Sequence, residues 1–301
     1  MQKFIRTIAM FALLMTLFVP SISAETKNVN PINEKLGVPI VVYGANLSKE
    51  ERAYVETALR VDEEAEVDEI TISGEDLVKY IKNSNASSRM YSSAKITRQD
   101  EGKGVIISIV TPDNITQVTA EMYATAMLTA GITDAVVEVA APKPVTGHSA
   151  LVGIYKAYEL KTGEELDIER TDVANEELSV ATDLATKSGV SEEKVAQLLT
   201  EIKRQIAEKN PATKEDVEKI VREQLEKLNI DLGEGDISAL VELMHRISKL
   251  DIDFDKLSDQ LSELSSSFKE KFDDLLENEG FWQSVKNFFA NLFNAIANLF
   301  K

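Results

Sequence analysis

The periodicity of the apolar residues changes once along this chain, near Gly163. Before that residue, short β-rich runs alternate with segments whose apolar residues recur every three or four positions, a pattern typical of strands and helices in turn. After it, only the helical period remains. We therefore predict an α+β protein, in which an α/β layer domain with a mixed sheet at residues 25–165 precedes an acidic helical bundle at residues 166–279.

The predicted elements of the first part occur twice in the order strand, helix, strand, helix. They lie at residues 38–43, 47–59, 68–73 and 75–82, and again at residues 105–110, 116–130, 135–140 and 149–158. An internal duplication and the chance recurrence of a common β-α-β order are both compatible with this pattern. Between the halves, residues 91–97 and 103–110 flank a Gly-containing turn at 100–102, which predicts a β-hairpin. We expect residues 25–165 to fold on their own.

The second part is predicted to contain five helices. They lie at residues 168–187, 191–209, 213–228, 236–249 and 255–276. Apolar residues from Phe254 to Leu275 recur at steps of three and four over about three heptads, which is typical of a coiled-coil seam. One interpretation is a bundle that packs on itself, and the other is a homodimer formed through the 254–276 helix.

The N-terminus has the order of a secretory signal peptide. Lys3 and Arg6 precede an apolar stretch at residues 8–19, which Pro20 and small residues follow. This stretch is shorter than the ~20 residues that a membrane-spanning helix needs, although an uncleaved anchor is the alternative. We predict that residues 1–24 are a signal peptide and that the mature protein is secreted or lies on the extracellular face of the cell envelope.

Charge and composition exclude several classes of function. The net charge of −18 argues against a nucleic-acid partner, because phosphate binding needs clustered Lys and Arg. The absence of cysteine excludes disulfides, thiol chemistry and Cys-ligated metals. The two histidines, His148 and His245, fall in different predicted domains. We therefore predict no catalytic, cofactor-binding or metal site.

The C-terminal segment 280–301 is predicted to form an amphipathic helix. From residue 281 onward it contains no acid and two lysines, and asparagines recur on its polar face. Its apolar face suits the surface of a membrane, an envelope protein partner, or the bundle itself. The residues predicted to make this contact are Phe281, Trp282, Val285, Phe288, Phe289, Leu292, Phe293, Ile296, Leu299 and Phe300.

Five motifs in the first part carry a resemblance to a known family. They are VPIVVYGANL at residues 38–47, MYSSA at 90–94, VTPDNIT at 110–116, TAGITDA at 129–135 and GHSAL at 147–151. Together they resemble the YpuA-like family of exported proteins in Firmicutes, a family of unknown function. The resemblance implies a Gram-positive, envelope-associated or secreted location, and it provides no catalytic residue to carry over.

These features predict an exported cell-envelope protein with a non-enzymatic binding or scaffolding role. Its C-terminal helix would contact the membrane surface or an envelope partner. The alternative is an extracellular carboxylate-based hydrolase acting on wall polymer, which would require two acids converging in one pocket of the first domain.

Overall fold

A mixed five-stranded sheet forms the centre of the first part of the chain. The computed structural model describes residues 30–253 and 259–261. The strands are β1 Ile40–Gly44, β2 Asp68–Ile72, β3 Ser93–Arg98, β4 Val105–Ile109 and β5 Ala135–Ala140. Their order in the sheet is β2-β1-β3-β5-β4. β1 and β2 are parallel, β4 and β5 are parallel, and β3 is antiparallel to both β1 and β5, so the predicted mixed sheet is confirmed.

Helices cover the sheet and make up the described residues after Gly163. They are α1 Lys49–Ala58, α2 Gly74–Tyr80, α3 Ala120–Ala130, α4 His148–Thr162, α5 Ile168–Lys187, α6 Glu192–Lys209, α7 Lys214–Lys227 and α8 Glu234–Ser248. The predicted α+β class with a helical C-terminal part is therefore confirmed. The fifth predicted helix of the bundle, at 255–276, lies outside the described residues apart from 259–261.

Local hydrogen bonds fix where the helices begin. Ser48 caps α1, because its hydroxyl accepts from Glu51 N at 3.2 Å while Ser48 N donates to Glu51 Oε2 at 2.9 Å. The start of α3 was predicted four residues too early. Thr116 N and Thr116 Oγ1 both donate to Val145 O, at 2.9 and 3.0 Å, so the chain becomes helical only after Thr119.

The predicted hairpin between β3 and β4 is wrong, because β5 lies between these two strands. The burial of the strands explains this order. β5 is buried at five of its six positions, which suits an interior place in the sheet. β4 alternates between half-buried and exposed residues, including the exposed Ile106, so it suits an edge. Turn chemistry alone could not predict that a distant strand would insert.

The two halves of the first part place their connecting helices on opposite faces of the sheet. α1 packs through Val55, and Leu59 directly after it packs with it, on the face that bears Val41 and Tyr43. α3 packs on the other face, among the residues that surround Val137. The halves therefore share their order of elements, but they are not superimposable copies of one unit, and the predicted duplication gains no support from the packing.

One hydrophobic core extends across the predicted domain boundary at residue 165. Helix α3 shows this best, since its residues 122–130 are all buried. One side of α3 meets the sheet, and its other side meets α5 and α6 of the bundle. Residue 165 thus marks the end of the strand–helix alternation, while apolar contacts join the residues before it to the residues after it.

None of the helices within residues 30–253 and 259–261 combines the length and the apolarity that a membrane crossing requires.

Candidate functional site

A cleft of about 1040 Å³ lies where the sheet layer meets the helical bundle. One wall comes from the end of α2, the loop that leads from it to β3, and the start of α4. The other wall comes from α5 and, through Arg246, from α8. Small-molecule sites typically measure roughly 300–1,000 Å³, so the cleft is large enough to hold a ligand.

Hydrogen bonds between its walls hold the cleft in shape. Thr171 Oγ1 on α5 donates to Tyr80 O at the end of α2, at 3.0 Å. Lys82 N donates to Asp172 Oδ1 at 2.9 Å. Arg246 Nη2 on α8 lies 3.0 Å from Asp172 Oδ2. These bonds join α2 and the loop after it to α5, and α5 to α8, so the walls do not depend on apolar contacts alone.

Gly147 allows α4 to begin in the wall of the cleft. Its φ of 102° lies in the left-handed region, which favours glycine. Tyr123 Oη donates to Gly147 O at 2.6 Å, and a Cβ on Gly147 would lie 2.8 Å from that hydroxyl oxygen. No side chain caps α4. The amides of His148 and Ser149 find no acceptor within the described part of the chain, so the first turn of α4 presents free N–H groups.

The two carboxylates of the cleft are already engaged. Asp172 and Glu176 lie one turn apart on α5, and the guanidinium of Arg246 contacts both. Asp172 also accepts from the backbone amide of Lys82. Both acids therefore serve to join α5 to its neighbours.

The remaining charged groups of the cleft differ in how they are paired. Lys82 forms an ion pair with Glu169. Arg89 is exposed and makes no hydrogen bond or ion pair with the residues that the structure describes. His148 Nε2 lies 3.4 Å from Thr182 Oγ1, and burial lowers the pKa of the imidazole below its usual range. A neutral His148 leaves the cleft with three cations and two carboxylates.

Asn175 adds a fixed polar group to the wall formed by α5. Only 7% of this residue is exposed. Its Nδ2 donates to Thr171 O at 2.7 Å and to Tyr155 Oη at 3.3 Å, which fixes the orientation of the amide. Its Oδ1 has no donor among the described residues, so it is a free hydrogen-bond acceptor in a residue that lines the cleft.

Other buried charges stabilise the fold instead of forming a site. Lys95 Nζ on β3 lies 3.1 Å from Glu64 Oε1 and 2.7 Å from Glu138 Oε2. This ammonium therefore joins β3 to β5 and to the segment that precedes β2. Across residues 30–253 and 259–261, no group of three or more acids and histidines is placed to hold a metal ion.

The site residues predicted from the sequence, Phe281 to Phe300, lie outside the described residues, and so does most of the 254–276 helix. Within that helix, Leu261 is buried and packs with Leu128 and Val105. Sequence reasoning missed the cleft, because its residues come from four distant segments. One signal was present: the 90–94 and 147–151 motifs both contribute residues to its lining.

Comparison with known proteins agrees with the resemblance seen in the sequence. Residues 43–264 match a family model described as a protein of unknown function, DUF1002. The chain is 35% identical to the "Uncharacterized protein YpuA" of Bacillus subtilis (strain 168), over 96% of this chain and 97% of the relative. No solved structure matches. The chain thus belongs to the DUF1002 family of unknown function and is similar to YpuA, as its motifs predicted.

Proposed function

We propose that the protein is exported to the outer face of a Gram-positive cell envelope, where it acts by binding and not by catalysis. The signal-peptide order of residues 1–24 supports export. The similarity to a relative from Bacillus subtilis over nearly the whole chain supports the Gram-positive setting. The cleft between the sheet and the bundle would be the ligand site.

The proposed binding role rests on how the acids of the cleft are paired with an arginine. A carboxylate-based hydrolase needs one acid to donate a proton and another to act as base or nucleophile. The two acids here, Asp172 and Glu176, both contact Arg246. They also lie on a bundle helix, whereas the hydrolase prediction required acids of the first domain. The cleft therefore favours recognition over hydrolysis.

The surface of the described residues supports an external partner for the C-terminal segment. An amphipathic helix with a large apolar face is stable only against another apolar surface. Six large apolar side chains are exposed in the described part, and each lies on a different segment of the chain. These side chains are Ile32, Tyr54, Val78, Ile106, Leu160 and Ile168. Contact of residues 281–300 with the membrane surface or an envelope protein is the proposal that fits best.

Cell fractionation tests the proposed location and the role of the tail. The full chain and a version ending at Gly280 would be produced in a Gram-positive host and followed in cytoplasmic, envelope and medium fractions. We expect the full chain in the envelope fraction, the shortened chain in the medium, and a mature N-terminus at Glu25 or Ala24. Both forms in the cytoplasm, still starting at Met1, would contradict export.

Incubation with isolated cell wall tests the binding role against hydrolysis. We expect the purified mature protein to release no soluble wall fragments. Fragment release that disappears on Asp172→Asn or Glu176→Gln substitution would favour the hydrolase instead.

A further inference from the structure

We propose that the cleft binds a ligand through an oxyanion, a phosphate or carboxylate group, held by Arg89 and the first turn of α4. This inference rests on the proposed binding role and specifies the chemistry of the ligand. Arg89 is the one cation of the described cleft lining that has no partner within the described residues. Guanidinium is suited to this role because its planar donors match two oxygens of a phosphate or carboxylate at once.

The charge of the cleft contrasts with the charge of the protein. The whole chain has a net charge of −18. The cleft lining nevertheless contains Lys82, Arg89 and Arg246 against the carboxylates of Asp172 and Glu176. Arg246 is committed to both acids, and Lys82 to Glu169 outside the cleft. With Glu169 counted, three cations balance three carboxylates, so the cleft is close to neutral on an acidic protein, and Arg89 is the cation that no carboxylate contacts.

The start of α4 adds hydrogen-bond donors to the same cleft. The amides of His148 and Ser149 have no acceptor in the described structure. Helix N-termini favour anions, because the free N–H groups and the helix dipole both direct positive potential outward. Gly147 fixes this turn through its hydrogen bond from Tyr123 Oη. The donors are thus held in place before any ligand arrives.

The free Oδ1 of Asn175 indicates that the ligand also contains a hydrogen-bond donor. Its Nδ2 is committed to Thr171 O and Tyr155 Oη, and its Oδ1 is left without a donor. An anion cannot satisfy this oxygen, whereas a hydroxyl or amide N–H can. A cleft of about 1040 Å³ has room for both groups. The proposed ligand is therefore a small molecule or polymer segment that combines an oxyanion with a hydroxyl or amide.

Isothermal titration calorimetry on the mature full-length chain tests the proposal. The probes are inorganic phosphate, glycerol phosphate and acetate, which separate phosphate from carboxylate and show whether an attached hydroxyl-bearing group helps. We expect saturable binding of at least one probe, weakened by added salt. Tighter binding of glycerol phosphate than of inorganic phosphate would indicate a phosphate ester. Tighter binding of acetate would indicate a carboxylate ligand.

Matched variants assign the binding to the cleft. Arg89→Gln should weaken binding at least about tenfold, which is the effect of losing charge-assisted hydrogen bonds. Arg98→Gln makes the same change in charge at an arginine outside the cleft lining and should leave affinity within about twofold. Ser149→Asp should abolish binding, because its own carboxylate would occupy the N-terminus of α4. Thermal melting would confirm that each variant is folded.

The outcomes separate this proposal from the broader function. Absence of binding by the folded wild-type chain to all three probes would overturn the oxyanion site, even if fractionation places the protein in the envelope. Equal losses in Arg89→Gln and Arg98→Gln would overturn it as well, because the effect would then come from overall charge. Failure of export or release of wall fragments would instead contradict the proposed function and leave any measured anion binding intact.

Discussion

Lys203 Nζ on α6 lies 2.7 Å from Glu177 Oε1 on α5, and both side chains are excluded from solvent. The ammonium also donates to Thr125 O and Thr129 Oγ1 on α3, at 2.8 and 3.1 Å. All three of its protons therefore have acceptors. This ion pair joins the bundle to the helix that covers the sheet, at the centre of the continuous core.

Loss of one partner of this pair should destabilise the protein strongly. Lys203→Met leaves the Glu177 carboxylate buried without its cation, and we expect a loss of about 3–5 kcal/mol in the free energy of unfolding. The double variant Lys203→Met with Glu177→Leu removes both charges and should recover most of that loss. Urea unfolding of the single and double variants measures both effects. A single variant that loses less than about 1 kcal/mol would show that the pair is not buried as described.

Residues 25–165 should not fold cooperatively as a separate fragment. The sequence predicted that they would, but the structure places α5 and α6 against the side of α3 that the sheet does not cover. Without the bundle, several of the buried residues 122–130 would meet water, and each large apolar side chain exposed costs about 1.5–3 kcal/mol. Circular dichroism during heating tests this. The matched control is residues 25–261, which retain the bundle helices and should melt in one transition.

The environment of Trp282 should report where the C-terminal segment binds. It is the only tryptophan of the chain, so its fluorescence has a single origin. On a membrane surface, its emission should shift to shorter wavelength when anionic vesicles are added. Phe288→Asp with Phe293→Asp should abolish the shift, because these changes put charge on the apolar face.

Charge on the opposite face provides the control for that experiment. Asn291→Asp with Asn294→Asp adds the same two charges to the polar face and should leave most of the shift. Emission that is already at short wavelength without vesicles, together with a lower melting temperature of the Phe288 and Phe293 variant, would indicate docking on the bundle. Exposed emission that vesicles do not change would indicate a protein partner.

His148 should make the stability of the protein depend on pH. Burial disfavours the imidazolium and lowers the pKa of His148 in the folded state, an effect that Asp183 partly opposes. As the pH falls below the usual histidine pKa, the unfolded chain takes up the proton first, so unfolding becomes more favourable. Wild type should therefore lose more stability than His148→Gln between pH 7.5 and pH 5.5, as measured by urea unfolding. Parallel pH curves for the two proteins would contradict this.

The sequence by itself determined the elements that depend on neighbouring residues. The capping pair Ser48 and Glu51 marks the start of α1, and Gly131 ends α3 in the left-handed conformation, because both effects act within one helical turn. The change of period near Gly163 separated the strand-containing part from the helical part, because the period of apolar residues is also set by neighbouring residues. The five motifs also identified the family correctly.

Only the tertiary structure decided how these elements meet. β5 lies between β3 and β4, and its apolar residues are buried in this interior position. The sequence of the turn between β3 and β4 does not indicate that β5 takes this position. The cleft arises in the same way, since Arg89, Asn175 and Arg246 are brought together from a loop and two separate helices. Their spacing along the chain does not indicate that they meet, because apolar surface is buried by the packing of the whole fold and not within any local segment.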